Sequence, residues 1–116
     1  IRQGQVDMGT VTEIVRPNFS IGELVHHRRF NYRGVVVDVD PRFQGTEEWY
    51  EVVALSRPPK NKPWYHVLVH GAIHSTYVAE RNLEGDKDTN PIEHPGVSYY
   101  FSRLENGRYI PIARGN

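Results

Sequence analysis

The chain has 116 residues, 38% of them hydrophobic and 24% charged, with 14 Lys plus Arg balanced by 14 Asp plus Glu. That length fits one domain with a modest core, and the zero formal charge removes the basic excess that most directly signals nucleic-acid binding. The lack of cysteine excludes disulfides, thiolate zinc sites and a thiol nucleophile, and no apolar run approaches the ~18 residues of a membrane span.

Residues 1–18 carry no sustained pattern and read as an arm, with a short strand expected over Thr10–Arg16. Met8, the only methionine, precedes Gly9; it is read as the natural start, with 1–7 as a cloning remnant. Residues 19–116 form the expected single domain. In "ELVHHRRF", Leu24, His26, Arg28 and Phe30 alternate with Val25, His27 and Arg29, as a strand requires. "NYRG" supplies a turn. In "VVVDVD", Val35, Val37 and Val39 are expected to face the core, and Val36, Asp38 and Asp40 the wet side.

Pro41 and Gly45 break that strand. Thr46 is placed to cap a short helix whose first turn carries Glu47 and Glu48, the acidic end that a helix dipole favours. Trp49, Val52 and Val53 make its expected apolar stripe. "SRPPKNKP" reads as a stiff basic loop. "WYHVLVHG" and "STYVAERNL" read as two further strands joined by a tight connection around Gly71–His74, and "EGDKDTNP" as an acidic loop. "HPGVSYYFSRLENG" is expected to be a last helix, with Val97, Phe101 and Leu104 at i, i+4 and i+7 and Gly107 ending it before "RYIPI". The expected fold class is mainly all-β, a small β-barrel or sandwich with one or two short helices in its connections.

Four groups of residues carry potential chemistry. Asp38 and Asp40 share a strand face but lack catalytic or EF-hand spacing, and an exposed face with an Asp-Pro turn accounts for them. His66, His70 and His74 are four apart, but they fall on a β pattern, which separates them too far for one zinc ion. There is no HExxH and no glycine-framed serine, so no metal, cofactor or enzymatic activity is expected. The basic set Arg28, Arg29, Arg33, Arg42, Arg57, Lys60 and Lys62, interleaved with aromatics, could track phosphates, although nearby glutamates offer each a local partner. Two Trp and seven Tyr exceed the evident needs of a small core, and exposed aromatics are the usual anchors of a partner surface.

"YRGVVVDVDPRFQGTEEWY", "PWYHVLVHG", "TYVAERNLE" and "IEHP…YF…ENGRYIP" together resemble, in order and spacing, the HspQ/YccV-like family, from about Phe19 to Pro111. Two departures stand out: Asn31 where a glycine is expected before Tyr32, and a longer arm before Phe19. The resemblance implies a compact SH3-like β-barrel in the cytoplasm, with self-association, as a trimer, in keeping with the family. It implies a heat-shock and stress-response factor that assists the ATP-dependent protease Lon and is itself a Lon substrate. Its alternative implication is a protein binding hemimethylated origin DNA and affecting the replication initiator DnaA. Related domains occur in an F-box protein and in a chloroplast Clp-protease adaptor, company that favours the adaptor role. Under that role the expected contact surface is Arg42, Gln44, Glu47, Glu48 and Trp49; under the DNA role it is Arg28, Arg29, Arg33, Arg57, Lys60 and Lys62.

Overall fold

A computed structural model describes residues 15–113. The expected strand over Thr10–Arg16 lies outside the described residues apart from Val15 and Arg16, which are irregular, and the assignments made for 1–14 lie outside them entirely. The fold is mostly β. Strands β1 (Leu24–His27), β2 (Arg33–Asp40), β3 (Trp64–Val69), β4 (Ser75–Ala79) and β5 (Leu83–Gly85) form one antiparallel sheet in the order β4-β3-β2-β1-β5. Helix α1 (Glu47–Val53) joins β2 to β3. A single helical turn, α2 (Val97–Tyr100), leads into the hairpin β6 (Phe101–Glu105) and β7 (Arg108–Pro111). Among the described residues the five-stranded sheet is not closed into a barrel: β4 and β5 are its two edges. The all-β expectation holds; the closure expected of an SH3-like barrel is not seen.

The sheet is buried on both faces. Leu24, Val35 and Leu68 pack against Ile92 and against Phe101 and Tyr109 of the β6–β7 hairpin. On the other face Val25, Val36, Tyr65, Val67, Val78 and Leu83 form a second cluster. This corrects the two-sided reading of β2, in which Val36 faced water: Val35 and Val36 are both fully buried. A β-bulge between Val36 and Asp38 then changes the alternation. Val37 stays with the cluster of Val35, while Val39 joins that of Val36. Helix α1 covers a third cluster, with Tyr50 and Ala54 against Trp64 and Ala79. Trp64 and Leu68 lie on one side of β3, so α1 and the β6–β7 hairpin cover opposite ends of the same face.

Three further expectations change. The last helix is one turn long, because Asn106 and Gly107, with φ of 52° and 75°, make the two-residue hairpin turn that an Asn-Gly pair favours. "STYVAERNL" is interrupted by a 3-10 turn at Glu80–Asn82, which separates β4 from β5. The first strand stops at His27 rather than running to Phe30. The His27 ring is the reason: its Nδ1 accepts the backbone N–H groups of Arg29 (3.1 Å) and Phe30 (3.0 Å) and bends the chain there. Gly22 (φ 94°) fastens the hairpin to the sheet, donating to Val36 and accepting from Tyr109, at a point where a Cβ would lie 2.1 Å from the Tyr109 carbonyl oxygen.

Candidate interaction site

The open edge β4 borders a groove of about 520 Å³. All five residues of β4 line it. One wall comes from the β1–β2 turn, with His27, Arg29, Phe30 and Tyr32, and the other from the end of α1, with Trp49, Val53 and Leu55. Phe30, Val53 and Leu55 are 72%, 51% and 76% exposed, so three large apolar side chains face water on one groove. Single exposed apolar residues are ordinary; a contiguous set marks an interaction surface.

The exposure of Val53 follows from how α1 sits. The stripe expected from Trp49, Val52 and Val53 is replaced by Tyr50 and Ala54, one turn apart, with Trp49 half-buried; Val52 and Val53 point outward. Tyr50 is held down by its hydroxyl, which donates to the Pro58 carbonyl at 2.6 Å, and Arg57 and Lys60 lie over its ring. The Thr46 cap forms as expected, its hydroxyl accepting from the Trp49 N–H at 3.1 Å.

Between α1 and the hairpin, the same sheet face carries Asp38, Asp40, His66 and Tyr77. Tyr77 donates to Asp40 Oδ2 at 2.6 Å and accepts from the Gln44 N–H at 3.0 Å, and His66 Nε2 lies 3.2 Å from the same Asp40 oxygen. Asp40 therefore serves side chains across the sheet rather than the turn backbone after it, while Asp38 accepts from the Val39 N–H. Burial and then the Asp40 carboxylate push the Tyr77 hydroxyl pKa upward, which keeps it a proton donor. One oxygen or nitrogen from each of Asp38, Asp40 and His66 could meet at a single cation, but Asp40 already has two partners and the trio is an ordinary polar cluster on a strand face. His70 and His94 instead organise the 93–96 loop through the N–H groups of Glu93 and Gly96.

The residues expected at a partner surface lie together on the β2–α1 connection: Arg42, Gln44, Glu47 and Glu48 are exposed, and Trp49 stacks at the edge of the ring cluster of Phe43, Trp64 and Tyr77. The six basic residues expected to face DNA are not brought together in one array. Arg33 is only 16% exposed and grips the acidic loop, pairing with Asp86 and Asp88 and donating to the Asp88 and Asn90 carbonyls. Arg57 turns back to Glu51 and the Tyr50 carbonyl, and Lys60 pairs with Glu47. Arg28 donates to the Leu83 carbonyl and lies 3.7 Å from Glu84. Arg28 and Lys62 stand with Arg81 around a second, smaller recess of about 230 Å³. The Arg29 guanidinium makes no hydrogen bond or ion pair among the described residues and faces the larger groove.

Sequence reasoning missed Phe30, Val53, Leu55 and the β4 edge. A helix stripe shifted by one residue, and a turn starting at Arg28, are not distinguishable from the alternatives by periodicity alone. No helix among the described residues is long and apolar enough to cross a membrane.

Comparison with known proteins gives one family. The model described as "Hemimethylated DNA-binding protein YccV like" matches residues 17–108. The chain is 34% identical over 97 residues to F-box only protein 21 of Homo sapiens, Mus musculus and Pongo abelii. Those alignments cover 82% of this chain but only 15–16% of the relatives' length.

Proposed function

The chain belongs to the YccV-like family, and from that premise we propose that it is a non-catalytic recognition domain of protein quality control, holding polypeptides for an ATP-dependent protease. In its sharpest form it is an accessory factor of Lon in the stress response, and a Lon substrate. The observation that carries this reading is the groove beside β4, rimmed by exposed Phe30, Val53 and Leu55. A surface of that kind suits apolar side chains presented by another protein far better than it suits phosphates. The resemblance associates such domains with degradation machinery, and the three curated relatives named above are each F-box only protein 21. The test is degradation of model substrates by purified Lon with and without the protein. Faster turnover of a subset is expected; an unchanged rate for every substrate, with no co-purification, overturns the role.

A second reading, binding of hemimethylated DNA, is favoured by the family's own description and by Arg28, Lys62 and Arg81 around the smaller recess. It requires hemimethylated duplex to bind more tightly than unmethylated duplex at ~150 mM salt, with affinity falling as salt rises. Equal affinities remove it.

A further inference from the structure

We propose that the β4 edge is a strand-addition site for an extended polypeptide segment with apolar side chains at alternate positions and a carboxylate that meets Arg29. The inference rests on the reading of the domain as a polypeptide-recognition module and specifies how the polypeptide is held.

The backbone supplies the first part. In an antiparallel pair, residues alternate between bonding inward to the neighbouring strand and pointing outward. Val69 donates to the His74 carbonyl and Glu80 donates to the Pro63 carbonyl, so residues 74, 76, 78 and 80 face β3. Ser75 and Tyr77 therefore present N–H and C=O groups on the side away from β3. That side is the sheet edge, and no backbone hydrogen bond among the described residues reaches these groups from it. Such an edge is a ready template for another strand.

Side chains supply the second part. An added strand puts alternate residues on each side of the sheet. On one side of β4 they would meet Leu55, Val53 and Trp49; on the other, Phe30 and Tyr32, with the Tyr32 hydroxyl 2.7 Å from Thr76 Oγ1. Both walls are largely apolar, and the chain crossing between them would bring a backbone rather than a base or a phosphate to the edge. Charge supplies the third part. Arg29 is the cation on this groove with no carboxylate of its own among the described residues, so an acidic side chain or a terminal carboxylate on the incoming segment complements it.

The experiment selects twelve-residue peptides from a random displayed library on the full chain and measures the winners by fluorescence polarisation. Enriched peptides are expected to share apolar residues two apart and at least one carboxylate. N-methylation at alternate backbone positions should abolish binding while the intervening positions tolerate it, because only every second N–H faces β4. Arg29→Glu and Leu55→Asp should each weaken binding about tenfold or more, equivalent to ~1.4 kcal/mol, with circular dichroism and thermal midpoint unchanged. Failure to enrich any peptide, indifference to N-methylation at every position, or unaltered affinity in both variants overturns the proposal. A second copy of the chain as occupant would appear in sedimentation as an oligomer dissociated by Leu55→Asp, and that result also overturns it. Peptide binding without any effect on Lon would remove the protease role and leave this site standing. Normal stimulation of Lon by both variants would do the reverse.

Discussion

His26 Nε2 lies 2.6 Å from Asn31 Oδ1, while His26 Nδ1 lies 2.8 Å from Glu84 Oε2. Asn31 Oδ1 and the Glu84 carboxylate are both acceptors, an arrangement that favours the protonated ring, which donates from both nitrogens. The Asn31 bond, and then Glu84, raise the His26 pKa above its ordinary 6.5. This clip closes the β1–β2 turn that presents Arg29 and Phe30 to the groove. Because the folded pKa is raised, its stabilisation is complete below pH 6.5 and is lost as pH rises through the folded value. Asn31 has φ of 57°, a conformation that Asn tolerates and Gly prefers. Asn31→Gly should keep the turn but bring the His26 pKa back toward 6.5 in an NMR titration. Asn31→Ala should lose both the conformation and the bond, costing about 1–2 kcal/mol in denaturant unfolding.

The next residue behaves in the opposite way. His27 is 4% exposed, and burial, followed by the charge of Arg29, lowers its pKa below 6.5. It is held neutral, with Nδ1 accepting two backbone N–H groups. Its contribution is therefore present above pH 6.5 and lost as pH falls through the folded value. His27→Asn, which retains an acceptor but does not titrate, should lose less stability than the parent between pH 7.5 and pH 5, as read from urea midpoints at each pH.

Arg33→Gln leaves Asp86, a carboxylate whose side chain is only 9% exposed, without its guanidinium. Breaking a largely buried pair from one side is costly, and about 2–4 kcal/mol is expected. The 86–90 loop should show faster hydrogen exchange. Loss of stability with no change in the salt dependence of DNA binding would place Arg33 in the scaffold rather than on a nucleic-acid surface.

Gly22→Ala combines a left-handed φ with a Cβ 2.1 Å from a backbone oxygen. The β6–β7 hairpin would have to move off the sheet, uncovering Leu24, Val35 and Leu68. A loss of about 3 kcal/mol or more is expected, seen as a lowered thermal midpoint.

Val52→Asp tests the placement of α1. The expected stripe makes Val52 core, and its burial of a charge would then unfold the domain. With the side chain 73% exposed, the change should alter stability by no more than about 0.5 kcal/mol in denaturant unfolding.

Local chemistry alone determined the class of fold, the Thr46 cap, the breaks at Pro41 and Gly45, and most strands, because β-branched alternation and turn residues act over a few neighbours. The order and spacing of the motifs also carried the family. What the tertiary structure decided were the positions where two local options are nearly equal. Leu104 and Phe101 fit a helix by spacing, but pairing of β6 with β7 through the Asn106-Gly107 turn satisfies the same backbone groups and buries Phe101 against Tyr109. Val52 and Val53 fit an apolar stripe, but Tyr50, pinned by Pro58, decides which side of α1 meets Trp64. Val36 alternates as a wet residue, but the sheet has a second covered face for it to enter. The groove is the sum of such choices. Its walls come from residues about 25 positions apart and its floor from an edge left open by the turn at Glu80–Asn82, relationships that exist only once the sheet has assembled.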